Sequence, residues 1–371
     1  MTHTEHILLT GATGLLGAQL VFTLLQKPHI HIHTLVRTNR YPLEQRRDRL
    51  IADMVARGHA AETVSSRLSL YSGDVTEACL GMSDADYTYL QTTIDHVIHS
   101  AASVRFDLSK EAVYKINVQG TQHMLDLFLP ITAEKPHARF EYVSTCYLAG
   151  NRQGVVYEHE CDEGQTFRNS YEWSKCQAEK LLRSHIEQGK RISIYRPSII
   201  VGDSRDGAAT AFNALYQPVR IYVNGWWRTV PGRPDAYIDI VPVNYVADMI
   251  CELHDMEESV GLCFHLASGQ QASRLREITE FLTTYLNGKP IGFFSPKLWE
   301  NVLSPCLSLF LRWSKRGRAI IRVAGTFMPY FTGNPQFDTS NVDRLTGKRP
   351  EPFLDYFPRI LDSAVAQKFG R

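Results

Sequence analysis

Tyr171 and Lys175, in the run Tyr171-Glu172-Trp173-Ser174-Lys175, stand four residues apart and share a face if the segment is helical. A lysine ammonium beside a phenol favours the phenolate, which would lower the tyrosine pKa and make its proton available to a reacting oxygen. Ser144 and Thr145, in Tyr142-Val143-Ser144-Thr145, add hydroxyls that could donate to the same oxygen. YxxxK alone is a common chance match, so its meaning depends on its surroundings. Those begin at Thr10-Gly11-Ala12-Thr13-Gly14-Leu15-Leu16-Gly17, which follows a short apolar run and opens an apolar helix. Glycines between a strand and a helix let the backbone approach a pyrophosphate closely. The helix N-terminus supplies amide donors and the positive end of its dipole, and the last glycine lets helix meet sheet. The expected ligand is a dinucleotide, held at Thr10, Gly11, Thr13, Gly14, Leu15 and Gly17.

A dinucleotide site that prefers NAD usually ends its second strand with an acid that accepts hydrogen bonds from the ribose. Here Leu35-Val36-Arg37-Thr38 places a cation there, so Arg37 suits a 2′-phosphate and the expected cofactor is NADPH, with Arg46 or Arg47 assisting. In Gly73-Asp74-Val75, Asp74 and the Val75 amide either read an adenine edge or cap a turn. Ser100, Ala101 and Ala102 open the run from His99 to Asp107, where small residues admit a cofactor or simply close packing. Pro197 and Ser198, in Arg196-Pro197-Ser198, free backbone groups for a nicotinamide amide or only terminate a strand. Tyr171 and Lys175 belong to the cofactor site too, because the lysine can hold the nicotinamide ribose.

These residues need a scaffold, and the pattern supplies one. Ile7 to Leu9, Ile30 to Val36, Leu68 to Tyr71, His96 to His99, Phe140 to Val143 and Ile192 to Tyr195 read as buried strands. Between them, Leu15 to Gln26, Tyr114 to Phe128 and Trp173 to Ile186 carry apolar residues at helical spacing. Strands alternating with helices mean parallel pairing, so the expected fold is α/β with a doubly wound parallel sheet. An insertion between Arg37 and Arg67 carries an amphipathic helix from Leu43 to Val55. Residues 1–205 form the expected cofactor domain, with strands near 240 and 264 returning to it, and 206–371 mainly a smaller substrate domain. The segment from Pro335 to Phe369 reads as a tail packed back onto the body.

Composition bounds the remaining possibilities. The 371 residues are 44% hydrophobic and 21% charged, which excludes a wholly disordered chain. With 40 basic against 39 acidic side chains, a strongly basic nucleic-acid binder is not expected. Seven cysteines without a CxxC pair suit reduced thiols in the cytoplasm. No metal is expected: His29, His31 and His33 alternate along one strand face, but no acidic or cysteine partner stands near them in sequence. Nothing at Met1 to His6 reads as a signal peptide, and Leu303 to Trp313 is too short to span a bilayer. Arg312, Lys315, Arg316, Arg318 and Arg322 lie among Leu307, Leu309, Phe310, Leu311 and Trp313, a mixture suited to an acidic carrier protein, an anionic membrane surface or a solvated helix face. Trp226 and Trp227 would line an acyl pocket or pack the smaller domain.

The glycine turn, Asn117-Val118-Gln119-Gly120-Thr121, the Thr145, Tyr171 and Lys175 set, Arg196-Pro197-Ser198 and Pro242-Val243-Asn244-Tyr245-Val246-Ala247-Asp248 fall in the order of the extended short-chain dehydrogenase/reductase family, which the chain resembles from about residue 5 to about residue 270. Within it, the arginine-rich insertion and the run from His99 to Asp107 are most similar to thioester reductases: terminal reductase domains of peptide and polyketide synthetases, carboxylic acid reductases and fatty acyl-CoA reductases. The resemblance implies a Rossmann-type domain with a small C-terminal substrate domain. It assigns catalysis to Thr145, Tyr171 and Lys175, with Asn117 in support. The implied reaction is NADPH-dependent reduction of an acyl thioester to an aldehyde or on to an alcohol. The sequence carries no adenylation or carrier domain, so the thioester would arrive on coenzyme A or on a separate carrier protein. A dehydrogenase of a free carbonyl or hydroxyl substrate and a non-catalytic dinucleotide sensor are the alternatives. Residues beyond about 285 follow no reductase pattern.

Overall fold

A computed structural model describes residues 3–212, 215–225, 229–295, 298, 313–314, 317–318 and 325–370. Seven strands form one sheet: β1 (Glu5–Thr10), β2 (Ile30–Val36), β3 (Leu68–Ser72), β4 (His96–His99), β5 (Arg139–Val143), β6 (Ile192–Pro197) and β7 (Cys263–Leu266). The first six are the runs expected from sequence. Their spatial order is β3-β2-β1-β4-β5-β6-β7 and every pairing is parallel. Such neighbours must be joined by crossovers, and the helices α1 (Leu15–Leu25), α2 (Leu43–Ala56), α3 (Gly120–Glu134), α4 (Ser170–Glu187) and α5 (Val243–His254) lie against the two faces.

Side-chain alternation divides the core. Ile7 and Leu9 of β1 join Leu20, Met54 and Ile250 on one face, while Leu8 joins Met124, Phe128 and Leu182 on the other. Full burial of each such side chain contributes about 1.5–3 kcal/mol. A third cluster, with Val201, Tyr216, Ile238, Ile278, Phe353 and Phe357, builds the second core beyond the sheet. The tail enters it through α6 (Phe353–Ala366), and Pro335–Phe337 pairs with Gly154–Val156 on the way. The strand near 264 is β7. The one near 240 differs: Ile240–Pro242 pairs with Ile199–Val201 as a separate two-stranded element, although Val241 packs with the core of β1.

Two local expectations change. The helix beginning near Tyr114 starts earlier, at Lys110, and passes through a wide turn at Lys115–Gln119 before α3. His31 and His33 do share a face, but their third partner is His6 of β1, whose Nδ1 lies 2.9 Å from His33 Nε2; His29 precedes β2 and stands 3.8 Å from Glu5. Burial, with His31 and His6 beside it, drives the His33 pKa down to about 3, so this cluster is a set of neutral, hydrogen-bonded rings. Among the described residues no helix is long and apolar enough to cross a membrane. Trp226, Trp227, Leu307, Leu309, Phe310, Leu311, Arg312, Lys315, Arg316 and Arg322 lie outside the described residues; Trp313 is exposed, and Arg318 is described.

Candidate active site

Strand order reverses between β1 and β4, and their carboxyl ends open a crevice where ligands bind in sheets of this kind. Gly11 leaves β1 with φ +82°, and a Cβ there would lie 2.9 Å from the Ala101 nitrogen beyond β4. A Cβ at Gly17 would meet the Gly11 carbonyl of the same turn. Both positions therefore need glycine to bring turn, helix and neighbouring loop together. The Thr10 hydroxyl ties the two loops, accepting the Ala101 N–H at 3.1 Å and meeting His99 Nδ1 at 2.7 Å. At α1 the N-cap is Gly14, so no side chain occupies the helix N-terminus.

A cavity of about 360 Å³ runs from that terminus. Gly11, Gly14, Leu15, Gly17, Ser100 and Ala102 line its near end; Thr145, Tyr171, Lys175, Pro197 and Ser198 line its middle. The Thr145 hydroxyl accepts the Tyr147 N–H at 3.2 Å and donates to the Pro197 carbonyl at 3.5 Å, a long bond that a substrate oxygen could replace. Lys175 is buried and donates to the Val143 carbonyl at 2.8 Å and the Tyr142 hydroxyl at 3.1 Å, 4.6 Å from the centre of that ring. Burial brings its pKa down to about 7, with Glu179 pulling upward.

The expectation that Lys175 lowers the Tyr171 pKa is corrected here. Burial pushes the phenol well up, and the neighbouring hydroxyl that opposes this is Thr145. The lysine faces Tyr142 and Val143 instead. Ser144 Oγ, in the same cavity wall, is buried without a hydrogen-bond partner among the described residues.

The family model for the male sterility protein, an NAD-binding domain, matches residues 9–250. The chain belongs to this family. A component of the linear gramicidin synthase of Brevibacillus parabrevis is 30% identical over 272 residues, 70% of this chain and 5% of that one. The terminal R domain from the myxalamid PKS-NRPS biosynthetic pathway superposes with a TM-score of 0.81 at 25% identity, over 100% of this chain and 92% of that one. A thiolation-reductase di-domain from an archaeal non-ribosomal peptide synthetase gives 0.76 at 21%, over 100% and 77%. The chain spans 5–36% of the length of the first curated relatives it matches. It is an oxidoreductase of the male sterility family with an NAD(P)-binding Rossmann-type domain.

Not every residue named from the sequence meets in the cavity of this family member. Asn117 lies behind it, accepting the Ser103 N–H at 2.8 Å and donating to Ser174 Oγ at 2.9 Å, so it ties the loop after β4 to α4. Thr13 is exposed at the turn, and the Ala101 N–H is donated to the Thr10 hydroxyl. Arg37 is exposed just beyond β2; Arg47 is exposed on α2, 3.7 Å from Asp48, and the Arg46 guanidinium lies 5.3 Å from the Tyr41 ring centre. Asp74 accepts the Thr76 N–H at 2.9 Å, the turn-capping alternative, and the Val75 carbonyl meets His123 Nδ1 at 2.8 Å. Sequence reasoning missed the far wall: Phe106, Tyr147, Phe327, Tyr330 and Phe331. The crowding of aromatics between Phe293 and Phe331 signals Phe327, Tyr330 and Phe331, and no local pattern marks Phe106 or Tyr147.

Proposed function

We propose that this chain reduces an acyl thioester to an aldehyde with NADPH, Thr145, Tyr171 and Lys175 serving the chemistry. The observation that carries the reading is one cavity joining the uncapped N-terminus of α1, the hydroxyl-bearing side chains of Thr145 and Tyr171, and an apolar far end. Ser144 Oγ, buried and unpartnered in its wall, and the glycine contacts at Gly11 and Gly17 fit a dinucleotide laid along the turn. Bound there, a reduced nicotinamide supplies the hydride.

The residues of the chain do the rest. The hydroxyls of Tyr171 and Thr145 stabilise negative charge growing on the thioester carbonyl oxygen, and Tyr171 transfers its proton there. The resulting hemithioacetal gives that proton back as its carbon–sulfur bond breaks; the thiol takes up a proton from solvent and leaves with the aldehyde. Lys175, held by Val143 and Tyr142, orients the ribose, and Asn117 positions the loop from Ser100 to Ser103. Pro197 and Ser198 would hold the nicotinamide, Thr10 and Thr13 would frame the pyrophosphate turn, and Val75, beside the turn that Asp74 caps, would border the adenine. Arg37, a cation where NAD sites carry an acid, with Arg47 in support, favours the 2′-phosphate of NADPH. In this reading residues 1–205 hold the cofactor and 206–371 mainly the substrate.

The thioester arrives on coenzyme A or on a separate carrier; the likeness to a thiolation-reductase di-domain supports the carrier. Free thiols at the six cysteines of the described residues suit a reducing compartment such as the cytoplasm. The test is NADPH oxidation by purified protein with acyl-CoA and acyl-pantetheine thioesters and the matching aldehydes and ketones. Oxidation coupled to thiol release is expected. Oxidation only with aldehydes or ketones would overturn the thioester reading.

A further inference from the structure

The far end of the cavity has a wall whose position is fixed by a device outside the catalytic set. Tyr330 lines the cavity with its ring, while its hydroxyl is fully engaged behind it, donating to Glu172 Oε1 at 2.7 Å and accepting from Asn169 Nδ2 at 2.8 Å. Glu172 has no exposed surface; its Oε2 accepts the Arg168 N–H at 2.9 Å, and the Arg168 guanidinium stands 3.4 Å from Oε1 and 5.0 Å from the Tyr330 ring centre. Glu172 directly follows Tyr171 in the first turn of α4. The residue next to the candidate proton donor thus clamps a side chain from a segment 158 positions away.

Phe106 completes the connection. Its ring centre lies 5.7 Å from that of Tyr171 and 6.1 Å from that of Tyr330, and Tyr147 meets Tyr330 edge-on at 5.2 Å. An ion pair buried this completely is costly to desolvate, and an apolar replacement would hold the segments together as well. What the polar clamp adds is direction: one tyrosine ring set at one place relative to Tyr171. Among the described lining residues Lys175 is the only cation and none is a carboxylate, so the end walled by Phe106, Tyr330 and Phe331 offers nothing to a charged acyl group.

We propose that Tyr330, clamped by Glu172, is the specificity-determining wall of the acyl site and selects an uncharged, apolar acyl group. Glu172 is then a positioning residue, acting through Tyr330. The proposal rests on the thioester reading above.

The test compares octanoyl-pantetheine with succinyl-pantetheine, and octanal with succinic semialdehyde, on the full chain. The apolar thioester should have a kcat/KM roughly tenfold or more above the charged one. Tyr330→Ala should raise KM for the octanoyl substrate roughly tenfold with kcat changed less than about threefold, and Tyr330→Phe, which keeps the ring but loses the clamp, should fall between it and wild type. Glu172→Ala should behave like Tyr330→Phe, while Glu172→Gln, still able to accept from Tyr330, should restore most of the KM. Cofactor affinity, unchanged in each variant, shows that the fold is intact. Equal use of the two acyl groups, or a Tyr330→Ala variant that loses kcat at constant KM, would overturn the proposal. Should only the aldehydes be reduced, the thioester reading fails, and the same KM comparison on the aldehyde pair decides the role of Tyr330.

Discussion

Toward the amino edge of the central sheet, His254 of α5 lies between Glu141 of β5 and Glu5 of β1, 2.7 and 2.6 Å from their carboxylates, and Tyr195 donates to the other Glu141 oxygen at 2.8 Å. At the carboxyl edge, Ser144 Oγ and His99 Nε2 are buried with no partner among the described residues, and Lys175 is buried beside the Tyr142 phenol and the Val143 carbonyl. Burial works against a charged imidazole, yet Glu141 and Glu5 outweigh it and raise the His254 pKa to about 10. Burial equally disfavours the Lys175 ammonium, and there it wins. Glu5, His96 and His254 also gather ligand atoms within 4.8 Å of one another. Both His254 nitrogens face carboxylates, however, and His96 Nδ1 accepts the Arg139 N–H at 3.1 Å, so this is an imidazolium between carboxylates rather than a ligand set. One edge spends its polar groups on holding strands and helix together. The other leaves them for a ligand.

The largest effect that divides the two edges is on turnover. Tyr171→Phe should lower kcat by roughly 10²–10⁴-fold, with cofactor affinity and Tm close to wild type. Steady-state kinetics with thermal melts check this, and near-normal turnover would remove Tyr171 from its role.

At the opposite edge the same kind of substitution should act on stability. His254→Gln leaves the buried Glu141 carboxylate and the partly exposed Glu5 carboxylate without their cation, at a cost of about 3–5 kcal/mol, while kcat at low temperature stays unchanged. The pH dependence sharpens the point. A folded pKa raised above the unfolded value of 6.5 gives stability that is complete below 6.5 and is lost as pH rises through about 10. Wild-type Tm should therefore fall from neutral pH towards 10, and the variant should lack that slope. A parallel decline in both proteins would move the alkaline sensitivity elsewhere.

How far the sequence reveals each edge follows from the range of the interactions. The glycine turn, the six strands and the Tyr171–Lys175 spacing are local, so periodicity and composition disclose them. Partners set by tertiary packing are hidden. Lys175 faces Tyr142 and Val143 because β5 runs beneath α4, and no local spacing distinguishes that from a lysine beside Tyr171. Glu172 reads as an ordinary acid in a first helical turn, and only the fold brings Tyr330 to it. His6 replaces His29 in the histidine cluster because β1 and β2 pair with His6 opposite His31.

A smaller effect concerns the cofactor. Arg37 is exposed, so Arg37→Glu should leave Tm unchanged while shifting the ratio of NADPH to NADH affinity by roughly 10- to 100-fold towards NADH, the worth of one or two charge-assisted hydrogen bonds. Titration of both nucleotides measures it. An unchanged ratio would transfer selectivity to the arginines of α2.

Ser144→Ala should give the smallest effect, and one whose sign differs between the two states of the protein. Its hydroxyl is buried without a partner among the described residues, so removing it takes away a desolvated polar group and should leave Tm unchanged or raise stability by up to about 1 kcal/mol. If the hydroxyl is kept for the cofactor, the same change should weaken nucleotide binding roughly two- to tenfold. Melts with and without nucleotide read both quantities. A loss of Tm in the absence of nucleotide would mean that Ser144 has a partner in the free protein. The carboxyl edge would then be as fully satisfied at that position as the amino edge is at His254.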